Sequence, residues 1–293
     1  MFALRLATRG SALARAQSAA VADALGGAEL VPVRSGDGEP GDKARFVRAV
    51  EAAVLDAAAE LGVHSAKDLP AAEADGLALV GVPAREDPAD AYVGAAGSIG
   101  EIPEGARIGT SSLRRRAQLL ALRPDLDVIA IHGNVDSRLR KLEAGECQGL
   151  VLALAGIRRL RRDDAASFAF AIDEMTPAAG QGALALQARS ADHRSAAAAA
   201  AITDRAALVE LTAERAAVAA LGATCNTPIG ICARLAGGGL ELHGFAGLPD
   251  GSEWVRDCLA GDPDQPAAVG EALAERMLAA GARELLERAE ALA

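Results

Sequence analysis

Apolar residues along the first third of the chain fall in short runs that alternate with longer, helically spaced patterns. Leu4-Arg5-Leu6-Ala7 reads as a strand and Ser11 to Leu25 as a helix, with Ser11 as its N-cap. Leu30 to Val33 makes a second strand, Ala44 to Leu61 a second helix, and Gly62-Val63-His64-Ser65 a third strand running into a loop. This βαβ rhythm predicts a largely parallel sheet with helices on both faces. It restarts after Pro103. Ala106 to Gly109 is strand-like, and Thr110-Ser111-Ser112 caps a helix over Leu113 to Leu122. Val128 to Ile131 is a strand, Val135 to Ala144 a helix and Gly149 to Leu154 a strand.

Between the two units, Arg85 to Asp90 reads as a crossover, and Gly180-Gln181-Gly182 opens a run, Ala183 to Arg189, that returns to the first unit. Ser195 to Ala201 reads as an Ala-rich helix. From about Asp204 the pattern becomes a helix, then strands, then a helix over Ala267 to Leu292, with turns at Gly237-Gly238-Gly239 and Pro249-Asp250-Gly251. The expected fold is therefore α/β, in three domains. Residues 1–84 with 183–201 form the first, residues 88–178 the second, and residues 205–293 a smaller α+β domain.

Length supports more than one core, since 293 residues exceed the commonest single domain. Hydrophobic residues make up 51% but aromatics only 2%, so the core is aliphatic and stacking platforms for single-stranded nucleic acid are absent. A net charge of −10 argues against a nucleic-acid partner. No run reaches the roughly 18 apolar residues of a membrane span, and the first residues lack the apolar core of a signal peptide. The cysteines Cys147, Cys225, Cys232 and Cys258 are scattered without a CxxC pair. Neither a metal site nor a disulfide framework is expected, and a reducing cytoplasm is the expected location.

Basic residues are clustered in spite of the acidic total. Gly109 to Arg116 places small hydroxyl residues between a strand and a helix start, where backbone N–H groups and the helix dipole converge on an anion. Arginines in that first turn oppose the dipole unless an anion sits there. His132-Gly133-Asn134-Val135-Asp136-Ser137-Arg138 forms a second strand-to-helix junction, with Arg138 able to face the cleft of Arg114 and Arg115. Arg158 to Arg162, mostly expected at the surface, and Arg5, Arg9 and Arg15 add two more clusters. Arginine suits bidentate carboxylate recognition, so a ligand with several carboxylates is indicated. Lys67 and Asp68 lie at a strand end, where α/β folds hold ligands. There an ionised Asp68 can stabilise a cation, although a turn-forming part before Pro70 is the plainer alternative. Cys225 sits in a turn-prone stretch, a placement that suits a thiol used for chemistry.

His64-Ser65-Ala66-Lys67-Asp68-Leu69-Pro70, Gly109 to Arg115, Gly133-Asn134-Val135 with Arg138, Ala155 to Leu160, Gly180-Gln181-Gly182-Ala183 and Cys225 with Pro228-Ile229-Gly230 occur in the order found in one family. Across nearly its whole length the chain resembles hydroxymethylbilane synthases, also called porphobilinogen deaminases. The resemblance implies two domains like those of type II periplasmic binding proteins and a third carrying the cysteine. It implies a transferase of porphyrin and heme biosynthesis that joins four porphobilinogen molecules head to tail with loss of ammonia. It implies a dipyrromethane cofactor on a thioether to Cys225, and Asp68, beside Lys67, stabilising the azafulvenium cation left by deamination. Thr110, Ser112, Arg114, Arg115, Arg138 and Lys67 would bind the cofactor, and Arg9, Ser11, Arg159, His132 and Phe46 the substrate.

The chain departs from the family in three places. His132 stands where the family has Arg, Ala223-Thr224 replaces a Gly-Gly pair, and the loop carrying Lys43 before Phe46 is shortened over Ser35 to Pro40. A cytoplasmic monomer with a small-molecule substrate is expected, with neither nucleic acid nor membrane as partner. A paralogue that condenses another pyrrole or stops at another length, and a non-catalytic polycarboxylate binder, are the alternatives. The binder needs neither Asp68 nor Cys225.

Overall fold

A computed structural model describes residues 4–34, 44–223 and 227–292. Cys225, Lys43 and the stretch Ser35 to Pro40, all singled out from the sequence, lie outside the described residues. The first lobe runs β1 (Leu4–Arg9), α1 (Ala12–Ala24), β2 (Ala28–Val33), α2 (Ala44–Leu55), β3 (Leu61–Ser65) and β4 (Leu77–Gly81). β1 pairs in parallel with β2 and β3. Ser11 caps α1 as expected, its Oγ accepting from Ala14 N at 3.3 Å. The helix expected to reach Leu61 ends at Leu55. Ala57 takes a left-handed φ of 56°, and Glu60 N donates to Arg5 O, which draws the chain into β3 beside β1. The Ala-rich sequence keeps its helical spacing past this turn, which is why the end is invisible in the pattern.

The second lobe repeats the plan with β5 (Asp90–Gly94), β6 (Arg107–Gly109), α3 (Leu113–Leu122), β7 (Asp127–Ile129), α4 (Val135–Glu143), β8 (Gly149–Ala153), α5 (Leu154–Arg159) and β9 (Phe168–Ala169). The chain then returns to the first lobe through β10 (Leu184–Arg189), followed by α6 (His193–Ala201). The sheets are ordered β2-β1-β3-β10-β4 and β7-β6-β8-β5-β9. In each, the strand arriving from the crossover, β10 or β5, runs antiparallel next to the third parallel strand. This exchange of one strand across the crossover is the two-lobed frame the resemblance implies. Four elements are additions to the sequence reading. β4 and β9 are not anticipated, β5 begins inside the stretch assigned to the crossover, and α5 follows β8 with no intervening turn.

The third unit packs α7 (Arg205–Leu221) and α8 (Pro266–Ala279) against a meander of β11 (Ile229–Ala236), β12 (Gly239–Gly247) and β13 (Trp254–Gly261), with α9 (Ala282–Ala291) at its end. Its core joins Leu221, Ile231, Leu240, Leu242, Leu273 and Met277. Burial of each such side chain contributes about 1.5–3 kcal/mol. The single helix expected over Ala267 to Leu292 is two. Gly281, at φ 96°, turns the chain between them. Gly270 lets α8 approach α7, because a Cβ there would lie 2.2 Å from Ala213 O.

One buried guanidinium fastens the three units. Arg85 Nη1 lies 3.1 Å from Glu210 Oε2 and 2.8 Å from Glu214 Oε1, while its Nε donates to Gln181 O at 2.9 Å. Glu214 also accepts from Gly180 N at 2.6 Å and Ala233 N at 2.7 Å. Burial pushes the Glu214 carboxyl up against the pull of Arg85. The same crossover depends on Gly182, whose φ is 85° and whose added Cβ would meet Glu86 O at 2.2 Å. Gly182→Ala is expected to destabilise the protein by at least roughly 1–3 kcal/mol, the strain of a left-handed non-glycine residue. Urea unfolding checks this, and an unchanged midpoint counts against a tight crossover.

Candidate active site

The cleft between the lobes is bounded by the carboxyl ends of parallel strands, where three helices begin. On the first lobe, Arg9 ends β1 and Ser11 caps α1. β3 gives way to a single helical turn, Ala66–Asp68, that carries Lys67 and Asp68. Arg9 Nη1 stands 3.5 Å from Asp68 Oδ2, and its guanidinium lies over the Phe46 ring at 3.9 Å. Burial lowers the Arg9 pKa, with Asp68 working against the shift. The turn is set by its neighbours. Gly180 packs on the Ala66–Lys67 backbone so closely that an added Cβ would lie 2.8 Å from Lys67 N. Gln17 on α1 bonds Ser65 Oγ at 2.9 Å.

On the second lobe, Ser112 caps α3 by accepting from Arg115 N, and Thr110 Oγ1 accepts from Ser112 N at 3.2 Å. Asn134 caps α4, accepting from Ser137 N at 2.9 Å. Gly133, at φ 123°, fits that turn because a Cβ would meet Ser137 Oγ. Arg138 Nε donates to Gly133 O at 2.9 Å. Burial, then repulsion from Arg115, brings the Arg138 pKa down to about 10. Arg159 on α5 donates to Gly182 O at 2.7 Å, and burial lowers its pKa too. Among the described residues neither Arg138 nor Arg159 has an ion-pair partner. His132 is exposed at the rim.

Arg114 and Arg115 differ from the free donors the sequence suggested. Both are buried. Arg114 Nη1 binds Asp90 Oδ2 at 2.6 Å and Thr176 O at 2.7 Å. Arg115 Nε binds Asp90 Oδ1 at 2.9 Å, and its Nη1 binds Val151 O at 3.0 Å. Burial alone would raise the Asp90 carboxyl, but the two guanidiniums hold it well below the usual carboxylate range. The cause of the difference is the position of β5, which puts Asp90 beneath the first turn of α3. Gln181 completes the set. Its Nε2 donates to Asp90 Oδ1 at 2.8 Å and Pro88 O at 2.7 Å, and its Oε1 accepts from Lys67 Nζ at 3.2 Å.

The structure thus gathers Arg9, Phe46, Asp68 and Lys67 on one wall and Thr110, Ser112 and Arg138 on the other, with Arg159 beside the crossover. Of the arginine run, Arg158 pairs with Glu86 at 2.8 Å and Asp87 at 3.5 Å, and Arg161 is exposed. Sequence reasoning missed Asp90, Gln181, Arg85 and Gln17. Gly180-Gln181-Gly182 drew notice for its glycines, so the amide between them was within reach.

Fold and site define a two-lobed α/β protein with a cation-rich cleft around one carboxylate, suited to a polyanionic ligand. Two family models match the chain, porphobilinogen deaminase, dipyromethane cofactor binding domain, over residues 4–197 and porphobilinogen deaminase, C-terminal domain, over residues 208–279. The porphobilinogen deaminase of Campylobacter concisus is 42% identical over 260 residues, covering 86% of this chain and 82% of that one. That of Roseiflexus castenholzii is 41% identical over 299 residues, covering 97% and 98%. Among solved structures, the VFT2 domain of Bordetella pertussis BvgS aligns at a TM-score of 0.42 and 15% identity, over 68% of this chain and 86% of that one. The chain belongs to the porphobilinogen deaminase family.

His64, buried behind the Lys67–Asp68 turn, sets a pH dependence. Burial pushes its pKa down to about 4, more than the nearby Asp68 restores. The unfolded chain takes up a proton near pH 6.5, and the folded chain refuses it until about 4. This contribution is complete above the unfolded value and is lost as pH falls through that window, reaching about 3 kcal/mol. Unfolding free energies at about pH 7.5 and about pH 4.5 should fall further for wild type than for His64→Gln. Equal losses would assign the acid sensitivity to other groups.

Proposed function

We propose that this chain carries out the porphobilinogen deaminase reaction of its family, joining four porphobilinogen molecules head to tail with release of ammonia to give hydroxymethylbilane. The observation that carries this reading is an imbalance of charge around one carboxylate. Arg138 and Arg159 are half-buried cations, drawn partly out of water and without ion-pair partners among the described residues, and below them Asp90 offsets two guanidiniums with one charge. A buried charge left unpaired is costly, so the cleft favours a ligand that brings several carboxylates. Porphobilinogen, with an acetate and a propionate arm, is such a ligand.

The same donors fit a dipyrromethane, which carries four such arms. Arg138, Lys67, Ser112 and Thr110 hold it in this reading. Arg114 and Arg115 support them from beneath, their excess positive charge favouring anions above the start of α3. When bound, the cofactor supplies the pyrrole end to which substrate units are added. Cys225 is its proposed point of attachment. Arg9, Ser11, Arg159, His132 and Phe46 are assigned to the substrate. Asp68 accepts from the pyrrole N–H and favours the positive charge that remains when the aminomethyl C–N bond breaks and ammonia leaves. Arg9, 3.5 Å away, holds that carboxylate in place, and Lys67, anchored on Gln181, stands beside it. The domain limits 1–84 with 183–201, 88–178 and 205–293 belong to this reading, as does a cytoplasmic monomer. No helix of the described residues is long and apolar enough to cross a membrane.

Asp68→Asn keeps the shape of the turn and removes the charge. Turnover should fall by about 10²–10³ while the fold and much of the substrate binding remain, as expected for loss of one preorganised stabilising group. Turnover within a few-fold of wild type would reduce Asp68 to a turn residue before Pro70. Intact and peptide mass measurement should find the dipyrromethane mass on the peptide containing Cys225. An active enzyme with Cys225 unmodified would falsify the attachment.

A further inference from the structure

Away from the cleft, the third-domain sheet assembles three side chains with metal-ligand chemistry. Glu241 and His243 are two apart on β12 and so share a face, and strand pairing sets Cys258 of β13 directly opposite His243. His243 Nε2 lies 2.7 Å from Glu241 Oε1. Cys258 Sγ lies 3.5 Å from the same oxygen and 3.9 Å from His243 Nε2. Glu241 and Cys258 are exposed, and His243 is half-buried between them.

We propose that Glu241, His243 and Cys258 form a Zn²⁺ site on the outer face of this sheet. In a tetrahedral zinc site the usual bond lengths put neighbouring ligand atoms about 3.4–3.6 Å apart. The Cys258 contacts already stand near that spacing. The shorter His243–Glu241 contact opens by rotation of the glutamate, whose side chain is about half exposed (49%). Thiolate, imidazole and carboxylate together suit zinc, whereas magnesium and calcium prefer oxygen alone. Neighbouring cations do not claim the glutamate. Arg234, paired across from Glu241 on β11, lies 4.0 Å from Glu210, and Arg276 is held by Asp257 at 2.7 Å. On binding, the Cys258 thiol releases its proton to solvent, His243 ligates through Nε2 with its remaining proton on Nδ1, and water takes the fourth position. No electron is transferred. The ion would staple β12 to β13, consecutive strands of the meander; its cysteine lies 15 residues from the histidine and 17 from the glutamate, so no CxxC pair marked the site in the sequence.

The test uses the full-length chain as purified, with Co²⁺ as a spectroscopic stand-in and Zn²⁺ as competitor. One equivalent of Co²⁺ should produce a thiolate-to-cobalt charge-transfer band, and Zn²⁺ should abolish it and raise the unfolding temperature. Cys258→Ser should lose the band. His243→Ala should weaken binding by at least roughly 10–100-fold, the loss that even an outer-sphere partner causes. Both variants should retain native circular dichroism and porphobilinogen turnover. Should Cys258→Ser misfold, Glu241→Gln, at a surface position, should still lower the affinity. Absence of stoichiometric binding, or a band that survives Cys258→Ser, overturns the proposal, the latter by placing the metal on another cysteine.

Discussion

The buried Asp90 carboxylate organises the molecule. It accepts from Arg114, Arg115 and Gln181 in the absence of solvent, and so joins the first strand of the second lobe, the first turn of α3 and the segment returning to the first lobe. Removing one partner from such a group typically costs about 3–5 kcal/mol, because the remaining charges stay buried. Its reach extends to the chemistry. Gln181 spends one end of its amide on Asp90 and the other on Lys67, beside Asp68. The position of the Lys67–Asp68 turn is therefore fixed by a network whose centre lies beneath the opposite lobe.

Overall charge and local field are decoupled here. The chain is acidic, at −10, yet its cleft is cationic because acids elsewhere are used in pairs at the surface or in the Arg85 junction. The glutamates near α7 neutralise the crossover, and Asp90 covers only half of the charge above it. What remains positive is concentrated where three helix N-termini already favour anions. Such focusing, more than net charge, decides which ligands are drawn into a cleft.

Local rules account for what the sequence revealed. Ser11 and Ser112 marked helix starts because a cap depends on residues three positions apart. The return of Ala183 to Arg189 to the first lobe was legible from its apolar run after two glycines, and the family motifs carried the cleft residues. Long-range pairing accounts for the rest. Asp90 looked like part of a polar crossover because a carboxylate ahead of Ala91-Tyr92-Val93 reads as the end of a loop; only its distant arginines make its burial tolerable. Arg114 and Arg115 read as open donors for the same reason. The end of α2 was hidden by alanines that suit a helix and the turn after it equally well, and the break at Gly281 by apolar spacing that continues on both sides.

The exchange of β10 into the first sheet bears on the order of synthesis. β10 fills the gap between β3 and β4, yet it emerges from the ribosome only after the whole second lobe has been made. Until then the first lobe exposes two unpaired strand edges, one on either side of that gap, and edges of this kind invite aggregation. The nascent first lobe must wait, incomplete, while its neighbour folds, so the second lobe, whose strands are contiguous in sequence, is the unit able to fold first.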